Sequence, residues 1–287
     1  MKTQCVQNPV ENALESSTSS QPAYVQARKR LMSLKGDPSV FADWESATFL
    51  HFLVSPELLV PHIPDCLELD LYEGQACLSL VSVSMRNFHG RSPVSLGSLS
   101  ALIDCQRFLN FRTYVHFNNE AGALFLWGWL SNPLPITFPH FKWGLPFSIA
   151  NFDYQHRLET STVRGKVTSR ETSGGFAYQT TLNPQIQGCP KSSLEEFALE
   201  RYTGFFSRGS HCFFFRAWHP RWLQTPITPS IEDRSLITNR FPWFENARYH
   251  SANFAPGFKD VWLGRVHRLN RLMIKHDAIL SGFYEMP

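Results

Sequence analysis

The chain has 287 residues with Lys+Arg 27 against Asp+Glu 24, a formal net charge of +3. Its basic residues are scattered apart from Arg28-Lys29-Arg30, which excludes an extended nucleic-acid footprint. Hydrophobic residues make up 43% with Phe 24 and Trp 8, while charged residues at 18% fall below the usual share of about 25%, so most of the chain must bury a sizeable core rather than stay disordered.

Residues 1–22 are rich in Ser, Thr, Gln and Asn without periodicity, and are expected to form a disordered arm ahead of a single domain over residues 23–287. The arm has no apolar signal segment, and no apolar run approaches the roughly 18 residues a membrane span needs. The six cysteines (Cys5, Cys66, Cys77, Cys105, Cys189, Cys212) form no CxxC pair and have no regular spacing. They are expected to be reduced, in a cytoplasmic protein that does not engage membranes.

A short helical pattern over 24–34 is broken by Gly36-Asp37-Pro38. Apolar, β-rich runs then recur between turn signals at 47–54, 76–85, 108–117, 124–130, 161–169, 176–182, 213–218 and 261–266. Many short strands and few helices predict a mainly β (α+β) barrel or sandwich. Residues 56–61 read as one short helix. Ser193 and Glu196 form an S-x-x-E capping box ahead of a second helix over 194–205.

Within the run 108–117, alternation sends Phe111, Thr113, Val115 and Phe117 one way and Asn110, Arg112, Tyr114 and His116 the other. A strand facing water more often carries Lys, Glu, Ser and Thr than this row, so the row is read as lining a cavity, with Asn110, Arg112 and Tyr114 pointing into it. In the second helix, at about 100° per residue, Arg201 falls within about 20° of Leu194, amid Phe197, Ala198 and Phe205. Arg201 is therefore expected to be buried and paired, either as a structural brace or as an anion clamp.

With these segments in hand, the chain resembles the DUF2071 family of uncharacterised bacterial proteins, grouped with the acetoacetate decarboxylase-like fold. The matching pieces run in order: Phe49-Leu50-His51-Phe52 with Val54-Ser55-Pro56, then Ala76-Cys77-Leu78-Ser79-Leu80-Val81, Phe108 to Val115, and Ser131-Asn132-Pro133-Leu134. Gly144-Leu145-Pro146, Leu194-Glu195-Glu196-Phe197, Glu200-Arg201-Tyr202, Trp218-His219-Pro220 with Trp222, and Ser251-Ala252-Asn253-Phe254-Ala255-Pro256-Gly257 follow. The resemblance implies an antiparallel, cone-shaped β-barrel with an internal pocket. Acetoacetate decarboxylase relatives place a Schiff-base lysine just after a Gly-x-Pro turn, but here that residue is Phe147, and the nearest lysine, Lys142, lies on the other side of the turn.

Other chemistries lack support. Histidines show no HxH or HExxH spacing, and a set such as His211, Cys212 and His219 would need the fold to gather it, so no metal is expected. No GxGxxG, GxxxxGK[ST] or G-x-S-x-G motif appears, which leaves nucleotide cofactors without an anchor and argues against a serine hydrolase. His51, in an apolar strand, is read as a core residue. His219 closes an aromatic strand and is read either as a strand-end cap or as a group titrating near neutral pH at the cavity mouth. The expected function is binding of a small anionic or oxygen-rich organic molecule by Asn110, Arg112, Tyr114, Glu200, Arg201 and His219. Lyase or isomerase chemistry without a Schiff-base lysine is one form of it, with Tyr114, His219 or Glu200 moving a proton; a non-catalytic sensor or carrier is the alternative. No cofactor is expected, and homo-oligomerisation is left open.

Overall fold

The structure, a computed structural model, describes residues 21–91, 105–133, 144–157, 160–182 and 185–269. All but the last two residues of the expected N-terminal arm lie outside the described residues, as does Lys142.

Helix α1 (Ala23–Met32) buries Ala27 and Leu31. Strand β1 (Val40–Val54) leads to α2 (Pro56–Leu59), the short β2 (Glu68–Leu69) and β3 (Leu71–Tyr72), and the long β4 (Gln75–Gly90). Next come β5 (Cys105–Phe117), β6 (Glu120–Leu130), β7 (Phe147–Arg157), β8 (Thr162–Ser169) and β9 (Gly175–Thr181). After β10 (Gln187–Gly188) and α3 (Leu194–Leu199) run β11 (Thr203–Arg208), β12 (His211–Trp218), β13 (Leu223–Ile227) and β14 (Ser230–Asp233). Helix α4 (Ser235–Thr238), β15 (Arg248–Leu263) and β16 (His267–Arg268) complete the described chain.

Pairings run from β6 through β11, β12, β15, β1, β4 and β5, and β5 pairs in turn with β6. The ring is uneven. β1 pairs along most of its length with both β15 and β4, whereas β6–β11 and β12–β15 share two residue pairs each. From β6 the sheet continues outward through β7, β8, β9 and β14. The expectation of a wholly antiparallel sheet needs correction, because β6 pairs in parallel with both β7 and β11. A two-residue hairpin cannot connect parallel neighbours, and β7 is reached from β6 through the long connection that carries Gly144-Leu145-Pro146.

β1 is buried on both faces from Ala47 to Val54. One face (Leu50, Phe52, Val54) packs with Leu78, Leu80, Leu109 and Phe111 against the outer layer at Val163, Val167, Phe176 and Phe244. The opposite face (Ala47, Phe49, Leu53) packs with Cys77, Val81, Tyr114, Ala198 and Trp222. A strand enclosed in this way reads as a continuous apolar run, which explains its Phe-Leu-His-Phe-Leu-Val sequence.

Two expectations are revised here. The second helix ends at Leu199, not near 205: Glu200 leaves helical geometry at φ −84, ψ 52, and Thr203–Arg208 pairs with β12 instead. Cys66 and Cys212 are joined as a disulfide across 146 residues of sequence, so they are not both reduced thiols. Spacing along the chain does not reveal a pair that only the return of β12 brings together. Among the described residues no helix is long and apolar enough to cross a membrane.

Candidate functional site

The face of β5 that carries Asn110 and Arg112 meets β1, β4, β11 and α3 around a cavity of about 110 Å³. That is room for a molecule of several heavy atoms. Its walls are largely aromatic: Trp44, Phe49, Phe108, Phe125, Phe147, Phe215 and Trp222. Its polar lining includes Asn110, Arg112, Arg201, Tyr202 and His219, and no Asp, Glu or Lys among the described residues lines it.

The pairing of β5 with β6 shifts register between Phe111 and Arg112. Such bulges re-aim a side chain, and this one sits where the guanidinium turns to the cavity. Arg112 Nη2 donates to the Ala198 carbonyl at 3.0 Å, and the group lies 5.7 Å from the Phe49 ring centroid and 5.6 Å from that of Tyr114. Its Nε is buried without a hydrogen-bond partner, as are Asn110 Oδ1 and Trp44 Nε1. Among the described residues no carboxylate forms an ion pair with Arg112. Each such orphaned atom costs about 1–3 kcal/mol, so three residues of the cavity wall carry unmet hydrogen-bonding capacity. The cation and the indole N–H are suited to a small anion or carboxylate, and the Asn110 oxygen to a hydroxyl or other donor on the same guest.

Tyr114 shares this face but lies deeper, fully buried, where its hydroxyl meets Ser79 Oγ at 2.6 Å. Burial raises its pKa, and it is not among the residues lining the cavity. His116, next in the row, is half-buried and stands 3.5 Å from Asp70.

The Arg201 side chain is nearly enclosed and ion-paired, though it does not ride on a helix. Its Nη1 lies 2.7 Å from Asp70 Oδ2, its Nε donates to the Phe197 carbonyl, and its guanidinium covers the Phe197 ring at 4.2 Å. It lines both the cavity and an outer cleft bounded by Tyr72, Phe197, Glu200 and Arg221. Glu200 faces that cleft. Its carboxylate accepts from the Tyr202 hydroxyl and, at 2.9 Å, from the Trp222 amide. Burial pushes the Glu200 pKa up, and burial with the Glu200 charge pushes Tyr202 up too.

His219 lines the cavity and is buried, its ring stacked 5.1 Å from Phe258. Burial lowers its pKa to about 4, so it does not titrate near neutral pH as one expectation held. Its Nδ1 donates to the Pro220 carbonyl at 2.7 Å, the strand-end bond of the other expectation, which makes Nε2 the acceptor nitrogen of a neutral ring.

Phe147, the residue after the Gly144-Leu145-Pro146 turn, lines the cavity and lays its ring against Gly128, where a Cβ would come within 2.2 Å of it. Sequence reasoning missed Asp70, Trp44, Tyr202 and Ser79. A serine inside the apolar run Ala76-Cys77-Leu78-Ser79-Leu80-Val81 was the one local signal among them. Among the described residues no group of three or more His, Cys, Asp or Glu side chains is placed to hold a metal ion. Cys212 of the weighed metal set is the disulfide partner of Cys66.

The model of the DUF2071 family, described as an uncharacterized conserved protein, matches residues 42–258. An uncharacterized protein of Bacillus subtilis, YqjF, is 24% identical over 181 residues, covering 63% of this chain and 72% of that one. The fold is similar to the enduracididine biosynthesis enzyme MppR complexed with pyruvate, at TM-score 0.60 and 10% identity, covering 82% of this chain and 92% of that one. It is also similar to acetoacetate decarboxylase from Legionella pneumophila, at TM-score 0.57 and 12% identity over 94% and 98% of the two chains. An acetoacetate decarboxylase-like enzyme from Sphingomonas wittichii aligns at TM-score 0.56 and 12% identity over 82% and 94%.

Proposed function

The chain belongs to the DUF2071 family, and we propose that it binds a small organic carboxylate non-covalently within a barrel of the acetoacetate decarboxylase type. What carries this reading is the Arg112 guanidinium, which lines an apolar-walled cavity with no carboxylate partner among the described residues and with its Nε unpaired. A carboxylate bound there gains charge-assisted hydrogen bonds from Arg112, with the Trp44 indole N–H as a further donor and the Asn110 oxygen left for a donor elsewhere on the ligand. The pyruvate held by MppR supports the ligand class, since a 2-oxo acid is of suitable size and charge. Phe147 in place of a lysine leaves that position without an amine, which argues against a covalent imine.

The test is titration of the protein with acetate, pyruvate and benzoate, read by quenching of Trp44 and Trp222 fluorescence. Saturable quenching by at least one of the three is expected, weakened about 10- to 100-fold in Arg112→Met, the worth of one charged hydrogen-bonding group. No response to any of them, or an unchanged response in the variant, overturns the reading.

A second reading, proton transfer of the lyase or isomerase class, is favoured by the Glu200–Tyr202 pair. Glu200 has a raised pKa and accepts from a hydroxyl that borders the cavity. Exchange of the methyl protons of pyruvate into deuterated water, abolished in Glu200→Gln, distinguishes an enzyme from the sensor or carrier alternative.

A further inference from the structure

Behind Arg112 lies a line of buried polar side chains that the cavity itself does not use. His51 Nδ1 is 2.8 Å from Ser79 Oγ, and Ser79 Oγ is 2.6 Å from the Tyr114 hydroxyl. On the far side, Asn253 Nδ2 donates to Gln224 Oε1 at 2.7 Å. All five residues are buried to within 1% of full enclosure. A polar line through an apolar core is costly unless each donor meets an acceptor, so its hydrogens must be assigned consistently along its length.

Two atoms break the pattern: His51 Nε2 and Asn253 Oδ1 are both buried and lack a hydrogen bond of good geometry. Yet Asn253 lies on β15 opposite Phe49, diagonal to His51 across the two strands, and its side chain favours protonation of the imidazole. Placing the imidazole hydrogen on Nε2 satisfies both at once. Nδ1 is then an acceptor, Ser79 donates to it, and the Tyr114 hydroxyl donates to Ser79. The phenolic oxygen then keeps its lone pairs free to accept from Arg112, whose guanidinium carbon lies 5.6 Å from the Tyr114 ring centroid and whose charge acts on the phenol. The reverse assignment turns both amides over and leaves the phenolic hydrogen facing a guanidinium, which has donors only and accepts nothing.

We propose that His51, Ser79 and Tyr114 form a one-way hydrogen-bond chain that positions Arg112, with the Tyr114 oxygen accepting from the guanidinium and turning it toward the cavity. This rests on the carboxylate reading for its purpose but not for its geometry. His51, Ser79 and Tyr114 are positioning residues; none touches the cavity contents. Because burial and the Arg112 charge hold the His51 pKa near 3, the chain keeps one polarity throughout the neutral range.

The ligand-free protein decides the geometry. Side-chain nitrogen NMR, with the His51 ring assigned from a His51→Gln variant, is expected to show the Nε2–H tautomer with no titration between pH 5 and 8. An Nδ1–H tautomer, or titration in that range, overturns the chain. Arg112 Nε–H exchange with solvent is expected to speed up at least tenfold in Ser79→Ala and in Tyr114→Phe. It should stay near the wild-type rate in His51→Gln, whose amide supplies one acceptor and one donor; equal rates in all four proteins overturn the positioning role. Pyruvate affinity, read separately, is expected to fall at least tenfold in Tyr114→Phe and little in His51→Gln. If the wild type binds no carboxylate, the ligand reading fails while tautomer and exchange rate still judge the chain.

Discussion

Replacing Arg201 by Met removes one member of a nearly enclosed ion pair: the Arg201 side chain is 7% exposed and that of Asp70 13%. Breaking such a pair from one side costs about 3–5 kcal/mol, because the surviving charge stays buried without its partner. Two features of this site set the expected value at the low end, near 3 kcal/mol. The methionine stem retains part of the packing over the Phe197 ring, and His116, 3.5 Å from Asp70, stays beside the stranded carboxylate. At roughly 2 °C per kcal/mol for a chain of this size, the melting temperature should drop by about 6 °C. Scanning calorimetry on Arg201→Met, Asp70→Asn and the double variant measures the coupling. The double variant should recover most of the loss, since no uncompensated charge remains. A single variant melting within 1 °C of wild type, or two losses that simply add, would refute the claim that the pair braces the boundary between cavity and cleft. A melting temperature left unchanged together with weakened carboxylate binding would instead make Arg201 a ligand clamp.

Three further outcomes are expected. His219 and His156, both held near pKa 4 by burial against 6.5 when unfolded, add no pH dependence above about 6.5 but make the fold less stable as pH falls from there to 4. For His219 the share of that drop is about 3 kcal/mol, so the loss that urea unfolding shows between pH 7 and 4 should be smaller by about that much in His219→Phe; identical profiles would count against a neutral buried ring. Gly128→Ala drives a methyl into the Phe147 ring and should cost about 1–3 kcal/mol, a penalty that must shrink in a Phe147→Ala background if that contact is its source. Reduction of Cys66–Cys212, which closes 146 residues, should lower stability by up to about 5 kcal/mol on the chain-entropy account; a melting temperature indifferent to dithiothreitol would mean that the bond is not formed in solution.

The alternation in β5 was legible because a strand has a side-chain period of two, and the structure keeps Asn110 and Arg112 on one face. Arg201 was placed among buried groups by an argument about a helix that in fact ends two residues earlier. Its burial comes from the turn that follows, where Asp70 arrives from a distant loop, and no local spacing encodes that meeting. β7 escaped notice because its outward positions Asn151, Asp153 and Gln155 are poor strand formers. Its pairing with β6 and β8 reveals it. The aromatic walls of the cavity were invisible for a related reason: Trp44, Phe147 and Trp222 lie far apart in sequence, and an aromatic residue looks the same to sequence reasoning whether it fills a core or lines a hollow.

The uneven ring has a mechanical consequence. Its two narrow contacts, β6–β11 and β12–β15, lie along the cavity wall: Gly204 and Ala123 pair across the first, Ala217 and Leu263 across the second, and all four line the cavity. Between these seams β11 and β12 form a well-paired ribbon. A sheet yields where fewest hydrogen bonds must break, so this ribbon is the stave that springs first, and backbone amides at its two margins should exchange with solvent well before those of β1. A guest in the cavity touches both margins from within, and filling the hollow would tighten the hoop around it.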